Sequence, residues 1–241
     1  MNLTPEVIYQ NDDFLIINKP SGLQVHPARV AESKKNRPLK KGVDRDRETL
    51  TEWLVKKYPE VKTVGDDPET RPGIVHRLDK ETSGIMVIPR TQKEFEYLKD
   101  RFAKREVKKT YLALVFGILK NPKGIIDKPI GIKNGTLKRS VHALKNMKPA
   151  VTEYKEEKYF EKDGKEYSLV EASPKTGRTH QIRVHLASIG HPIVGDAMYG
   201  PKQQPRFAKR LMLHAKSLSF ADGRGGVYEF EAPLPPEFVG F

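Results

Sequence analysis

Acidic and basic side chains stand close together between two apolar segments of PGIVHRLDKETSGIMVI, residues 72–88. Arg77, Asp79 and Lys80 interrupt an apolar pattern that predicts a strand on either side of them. A carboxylate can serve as a nucleophile when a nearby cation favours its anionic form, and Arg77 stands two residues from Asp79. Loops at the edge of a core frequently carry function because the flanking elements hold them rigidly. An Arg77–Asp79 ion pair that only closes a turn would explain the same spacing, so the stretch alone does not decide.

The pattern of the whole chain predicts an α+β fold, with a mainly antiparallel mixed sheet and a few flanking helices. Helices are predicted after Thr49 and Thr91, where each threonine and the glutamate three residues later form a capping box. A short third helix is predicted at 179–190, with Thr179 as N-cap and Gly190 just beyond its end. Asn134-Gly135 is typical of a hairpin turn. Strands are predicted at 13–19 and 110–119, and near 151–158, 166–173, 211–220 and 227–232.

A strong positive charge favours a polyanionic partner. The chain has a net charge of +13 and a pI near 9.7. Residues 29–48 hold eight Lys/Arg against four Asp/Glu, and residues 99–109 hold six against two. Clustered charge of this kind is typical of nucleic-acid binding. Residues 29–48 lack apolar periodicity, so they are predicted to form a mobile basic loop.

The remaining composition sets limits on compartment and organisation. The chain has no cysteine, which excludes disulfides and thiolate zinc sites. No signal peptide and no apolar run long enough to span a bilayer is evident, so a cytoplasmic protein is expected. No repeat or low-complexity linker divides the sequence, and we therefore expect residues 1–241 to form one domain.

Several further motifs occur in a fixed order around the HRLDK loop. Together with it they closely resemble the RluA-type pseudouridine synthase family over roughly residues 7–238. The matching stretches are NDDFLIINKPSGLQVHP (11–27), GIVHRLDKETSG (73–84), VKKTYLALV (107–115), GRTHQIRVHLASIGHPIVGDAMYG (177–200), LHA (213–215) and FEAPLPPEF (230–238). Because the resemblance begins near Val7, a stand-alone catalytic domain without a preceding S4-type RNA-binding domain is expected.

The resemblance implies that uridine in structured RNA is isomerised to pseudouridine without a cofactor or metal. It assigns Asp79 as the catalytic nucleophile and Arg77 as the side chain that replaces the flipped nucleotide in the helix. It places Tyr111 against the uracil, with a possible part in proton transfer at C5, and makes Arg183 the ion-pair partner that holds Asp79. Whether the carboxylate attacks C1′ of the ribose, assists glycal formation or adds to C6 stays open. Ribosomal RNA is favoured over tRNA, and a monomer is the default expectation.

Other classes of protein fit the sequence less well. An RNA-binding protein that has lost catalysis is disfavoured because Asp79, Tyr111 and Arg183 are all present. A nucleosidase or glycosidase acting on small molecules is disfavoured by the clustered positive charge. His180, His185 and His191 invite a metal site but lack the spacing of a hydrolytic zinc helix. The Asp pairs at 12–13 and 66–67 are interpreted as turns or caps rather than as paired catalytic carboxylates.

Overall fold

A computed structural model describes residues 3–27, 48–132, 138–143, 146–223, 225–239 and 241 of the chain. The predicted basic loop 29–48 lies outside the described residues except for Glu48, and so does the Asn134-Gly135 turn.

The described residues form eleven strands and three α-helices. The helices are α1 (Leu50–Lys57), α2 (Gln92–Ala103) and α3 (Gln181–Ser188), and two short 3-10 turns lie at Pro59–Thr63 and Pro236–Phe238. The strands are β1 (Glu6–Gln10), β2 (Phe14–Lys19), β3 (Ser83–Pro89), β4 (Lys108–Phe116), β5 (Lys123–Asp127), β6 (Gly131–Ile132), β7 (Arg139–Ser140), β8 (Val151–Lys162), β9 (Lys165–Pro174), β10 (Leu213–Ala221) and β11 (Val227–Glu231).

One nine-stranded sheet organises the fold. Its order is β1-β2-β3-β10-β4-β9-β8-β5, with β11 also paired to β10, while β6 and β7 form a separate small ribbon. Within the described chain every strand pair is antiparallel except β3 with β10. The α+β prediction with a mixed, mainly antiparallel sheet is confirmed.

The start of α1 confirms the first predicted capping box. The Thr49 hydroxyl accepts the Glu52 N–H, and the Glu52 carboxylate accepts the Thr49 N–H at 2.6 Å. At α2 only half of the predicted box is present. Thr91 accepts the Glu94 N–H at 3.2 Å, but the described contacts include no return bond from the Thr91 N–H to the Glu94 side chain.

The start of α3 corrects one prediction. His180, not Thr179, is the N-cap residue, and its backbone is left-handed with φ of 58°. The turn before the helix is closed by Gln181, whose side-chain oxygen accepts from the Arg178 N–H at 3.0 Å. The side-chain bond at this turn therefore comes from Gln181, and α3 has no side-chain N-cap bond. Gly190 follows the last helical turn with φ of +90°, as predicted.

The segment before Asp79 also differs from the prediction. Residues 73–78 form turns rather than a strand, although Leu78 is buried and Ile74 and Val75 pack against the core. Short apolar runs do not distinguish a buried loop from a strand, because both bury their side chains. The segment still bonds to the sheet, because His76 Nε2 accepts the Val87 N–H of β3 at 3.1 Å.

Two large apolar clusters pack on this sheet. One joins β2, β3 and β10 to α1 and α2, and the other joins β4 and β9 to α3 and β10. Tyr111, near the start of β4, packs against both clusters. The predicted site residues therefore lie where the two clusters meet.

Candidate active site

Asp79 occupies a turn that leads directly into β3. The Thr82 N–H donates to the Asp79 carbonyl at 3.1 Å, and β3 begins one residue later. Gly84 then lies against β10, where a Cβ would meet the Ala215 carbonyl oxygen at 2.2 Å. Glycine is required at this close approach, and its φ of +118° also suits glycine. The segment 82–84, which follows Asp79, thus attaches the turn to the central sheet.

The turn is held through its main-chain carbonyls by residues at the end of β2 and just after it. The Gly22 N–H donates to the Lys80 carbonyl at 2.8 Å, and the Ser21 hydroxyl donates to the Glu81 carbonyl at 2.6 Å. Lys19 Nζ also donates to the Lys80 carbonyl, at 3.2 Å. None of these bonds uses the side chain of Lys80 or Glu81, so the position of the turn does not depend on those two side chains.

Lys19 is a buried lysine whose Nζ lies against the turn that carries Asp79. Its side chain is fully buried, and Nζ also donates to the carbonyls of Pro20 and Leu23, each at 2.9 Å. Burial lowers the pKa of Lys19 to about 7, although the nearby carboxylates Glu81 and Asp79 act in the opposite direction. The group therefore titrates near neutral pH, directly behind Asp79.

Arg183 approaches Asp79, but its main partner is Asp196. Its Nε and Nη2 donate to the two Asp196 carboxylate oxygens, each at 2.8 Å, whereas Nη1 lies 3.5 Å from Asp79 Oδ2. Both Arg183 and Asp196 are buried. Burial alone would raise the pKa of Asp196, but the hydrogen bonds and charge of Arg183 outweigh it and hold this pKa below its usual range. The bidentate pair anchors the guanidinium and leaves one nitrogen directed at Asp79.

Asp196 is itself fixed by the loop between α3 and β10. Its Oδ1 accepts the N–H groups of Met198 and Tyr199 at 2.9 and 3.0 Å. The preceding Gly195 has φ of +78°, and a Cβ there would meet the Arg210 carbonyl oxygen at 1.9 Å. The GDAMYG loop thus supplies a carboxylate with four bonds, which orients Arg183.

His180 is a second side chain near the same Asp79 oxygen. Its Nε2 lies 3.8 Å from Asp79 Oδ2, and its Nδ1 lies 2.9 Å from the Tyr199 hydroxyl. The Tyr199 ring also lies under the Arg183 guanidinium, 5.2 Å from its centroid. One tyrosine therefore contacts both groups that face Asp79.

Tyr111 enters the same space from the centre of the sheet. On β4 it is paired with Ala172 of β9 on one side and with Ala215 of β10 on the other. Burial raises the pKa of Tyr111 well above its usual range, and the negative charge of Asp79 raises it further. The phenol consequently keeps its proton at neutral pH.

Arg77 bonds to His26 and not to the Asp79 carboxylate. Its Nη1 donates to His26 Nε2 at 2.7 Å, and no ion pair joins Arg77 to Asp79 among the described residues. The interpretation of the spacing as a turn-closing ion pair is therefore wrong. Arg77 remains exposed at the edge of the site.

These side chains line a cleft of about 850 Å³. Asp79, Arg77, Tyr111 and Arg183 all contribute to its walls, although they come from three separate parts of the chain. Basic residues on both sides of the cleft give it a positive rim: Arg105, Lys108, Lys109, Lys175 and Arg178. The four residues selected from sequence are thus brought together in one cationic cleft.

Sequence reasoning missed Lys19, His180, Asp196 and Tyr199. The signal for Lys19 was a lysine at the end of a strand that is otherwise apolar. For Asp196 and Tyr199 the sequence shows only a glycine-flanked loop, GDAMYG, with nothing to connect it to Asp79. Among the described residues no group of three or more His, Cys, Asp or Glu could hold a metal ion. In the same part of the chain, no helix is both long and apolar enough to cross a membrane.

Comparison with known proteins gives a consistent assignment. Residues 13–188 match the family model described as RNA pseudouridylate synthase. A Chloroflexus aurantiacus protein named as an uncharacterized RNA pseudouridine synthase is 40% identical over 222 residues, which are 91% of this chain and 63% of that protein. The ribosomal large subunit pseudouridine synthase D of Pasteurella multocida is 36% identical over 99% of this chain and 70% of its own length.

A solved structure agrees with these sequences. Human RNA pseudouridylate synthase domain containing 1 superposes with a TM-score of 0.73 at 27% identity, covering 97% of this chain and 84% of that one. The chain belongs to the RNA pseudouridylate synthase family, which confirms the resemblance seen in the sequence. It spans about 63% of the length of the Chloroflexus relative.

Proposed function

We propose that this protein isomerises specific uridines to pseudouridine in structured RNA, with Asp79 as the nucleophile. One observation carries the proposal: Arg183 Nη1 and His180 Nε2 approach the same carboxylate oxygen of Asp79, at 3.5 and 3.8 Å, inside a cationic cleft. A neighbouring guanidinium favours the anionic form of a carboxylate over the protonated form. An anionic oxygen is what a nucleophilic step requires.

The reaction is a rearrangement within one nucleotide. The N-glycosidic bond of the uridine is cut, the uracil rotates, and C5 forms a carbon–carbon bond to C1′ of the ribose. C5 loses its proton, and the former glycosidic nitrogen gains one, so that the product is an isomer of uridine. The target atoms are out of reach inside a helix, so the nucleotide must first be extruded, at a cost of a few kcal/mol. A cleft of about 850 Å³ has room for the extruded nucleotide.

Arg77 suits the role of filling the gap left by that nucleotide. Its side chain is exposed beside the cleft, and its only described hydrogen-bond partner is His26. A long planar cation can stack between bases and contact phosphates at the same time. We therefore place Arg77 in the RNA helix during catalysis, after its bond to His26 has been broken.

Tyr111 suits a position against the uracil ring. Its aromatic face lies in the cleft, and its raised pKa keeps the hydroxyl protonated. A protonated phenol donates hydrogen bonds but is not a base at neutral pH. Tyr111 would therefore stack on the base and pass a proton at C5 only together with another group.

Ribosomal RNA is the favoured substrate. The Pasteurella relative carries the name of a ribosomal large subunit enzyme and aligns with 99% of this chain. The net charge of +13 and the basic rim suit phosphate contacts, which bind RNA without reading its sequence. We further propose that the chain acts as one domain and as a monomer, which gel filtration would test.

The test is Asp79→Asn, assayed with unmodified ribosomal large-subunit RNA, tRNA and free uridine. Asparagine is nearly isosteric but is not a nucleophile, so product should fall below detection. RNA affinity should change less than about three-fold because phosphate contacts dominate binding. Mass spectrometry of nuclease digests measures the pseudouridine formed.

Asp163→Asn is the matched control, since Asp163 lies exposed in the turn between β8 and β9 with φ of 52°. Asparagine tolerates this left-handed backbone. Its activity should equal that of the wild type. Pseudouridine formation by Asp79→Asn would exclude the nucleophile assignment, and turnover of free uridine alone would make the protein a small-molecule enzyme.

A further inference from the structure

His180 adopts a backbone conformation that its residue type rarely uses. Its φ of 58° and ψ of 21° place it in the left-handed region, immediately before α3. As N-cap it makes no side-chain bond to the helix. Conformations of this kind are unfavourable and concentrate at functional sites. The turn places the imidazole of His180 between Tyr199 and Asp79.

The hydrogen bonds around Tyr199 determine which nitrogen of His180 carries the proton. The Arg139 N–H donates to the Tyr199 oxygen at 2.9 Å. In the described part of the chain, His180 Nδ1 is the one acceptor within hydrogen-bonding distance of the Tyr199 hydroxyl. When the Tyr199 hydroxyl donates to Nδ1, a neutral imidazole carries its own proton on Nε2.

Charge and burial favour this neutral form. Burial lowers the pKa of His180, and the positive charge of Arg183 lowers it further, against the opposing effects of Asp79, Asp196 and Glu81. Burial likewise raises the pKa of Tyr199, so the phenol retains the proton that it donates. In the neutral form with the proton on Nε2, the Nε2–H group of His180 faces Asp79.

We propose that His180 is a positioning residue for Asp79: its Nε2–H is directed at Oδ2, while Tyr199 holds the imidazole in that tautomer. The separation of 3.8 Å exceeds a hydrogen bond and is expected to shorten when RNA fills the cleft. Arg183 approaches the same oxygen. With both donors directed at Oδ2, Oδ1 is the oxygen that the proposal assigns to the nucleotide. This inference rests on the proposed role of Asp79.

The tautomer is tested by nitrogen-15 NMR of the wild-type protein without RNA. His180 is assigned as the signal that disappears in His180→Gln. We expect a proton-bearing Nε2 and an unprotonated Nδ1 at pH 7.5, and a mixture of tautomers in Tyr199→Phe. A proton on Nδ1 in the wild type would overturn the inference. This measurement needs no activity, so it is independent of the proposed function.

The positioning role is tested by single-turnover rates with saturating enzyme. His180→Leu should lose about ten- to a hundred-fold, the loss typical of one hydrogen bond to a charged group. His180→Gln retains an N–H donor at a comparable distance and should stay within about three-fold of the wild type. RNA affinity should be unchanged in both variants. Equal losses in the two variants, or none in either, would overturn the role.

Control variants distinguish a specific role of His180 from a general loss of structure. Tyr159→Phe removes the hydroxyl of an exposed tyrosine on β8 and should be silent, whereas Tyr199→Phe should lose part of the rate. His142→Gln, at an exposed histidine, should also be silent. An active Asp79→Asn enzyme would refute the proposed function, whereas the tautomer would still be decided by NMR alone.

Discussion

The two walls of the cleft are held by different kinds of interaction. The wall that carries Asp79 is fixed by donors that bind the main-chain carbonyls of Lys80 and Glu81. The facing wall is fixed by side chains, chiefly the bidentate pair of Arg183 and Asp196. Backbone acceptors are present whatever the residue type, whereas a buried charge pair requires both of its members.

This difference explains where substitutions should matter. In the Asp79 turn, the side chains of Lys80 and Glu81 are free to vary while the carbonyls keep their donors. In the facing wall, removal of one charge leaves its partner buried without compensation, which is among the most costly changes in a protein. The contrast between the two walls therefore predicts which substitutions destabilise the protein most and which destabilise it least.

The largest effect is expected for Asp196→Asn. The amide can still accept the Met198 and Tyr199 N–H groups, but it removes the charge that compensates Arg183. Breaking a buried pair in this way typically lowers the free energy of unfolding by about 3–5 kcal/mol. Urea denaturation at pH 7.5 measures the change, with Asp66→Asn as control because its ion pair with Lys99 is exposed.

A double variant tests whether Arg183 and Asp196 stabilise the wall as a pair. Arg183→Leu with Asp196→Asn removes both charges, so its loss of stability should be smaller than the sum of the two single losses. Additive losses would show that the two side chains stabilise the wall independently. Activity should be lost in every variant without Arg183, because no guanidinium then faces Asp79.

An intermediate, pH-dependent effect is expected for Lys19→Met. The pKa of Lys19 is about 7 in the folded protein and 10.5 for an ordinary lysine, so the unfolded chain binds this proton more tightly. The contribution of Lys19 to stability is therefore complete above about pH 10.5 and is lost as the pH falls through about 7.

A methionine at position 19 does not titrate, and it removes the donor that Lys19 provides to the carbonyls of Pro20 and Leu23. The free energy of unfolding of the wild type, relative to Lys19→Met, should thus grow steadily between pH 7 and pH 10. Urea titrations at several pH values test this. A difference that stays constant with pH would mean that Lys19 is not the group that titrates.

The smallest effect is expected for the side chain of Glu81. Its carboxylate is half exposed and lies 4.0 Å from Arg183, so Glu81→Gln should change stability by less than about 0.5 kcal/mol. Ser21→Ala removes the bond to the Glu81 carbonyl and should cost about 1 kcal/mol. Thermal melts of the two variants compare the contribution of the Glu81 side chain to stability with that of the Glu81 main-chain carbonyl. A larger loss for Glu81→Gln would contradict the contrast between the walls.

The sequence by itself determined the elements with regular periodicity and local caps. The α+β class, the α1 capping box of Thr49 with Glu52, and the glycine after α3 were predictable because each depends on neighbouring residues. The motif around Asp79 was also visible, since its residues are contiguous. The apolar run at residues 73–78 was misassigned because periodicity does not distinguish a buried turn from a strand.

Only the tertiary structure decided what surrounds Asp79. The sequence indicated that Arg183 would pair with this carboxylate, whereas the fold gives its two short bonds to Asp196, thirteen residues further along the chain. The left-handed turn at His180 and its contact with Tyr199 likewise depend on loops that meet only after the sheet has formed. Side-chain bonds between distant segments leave no periodic trace in a sequence, because packing rather than local propensity selects the partners.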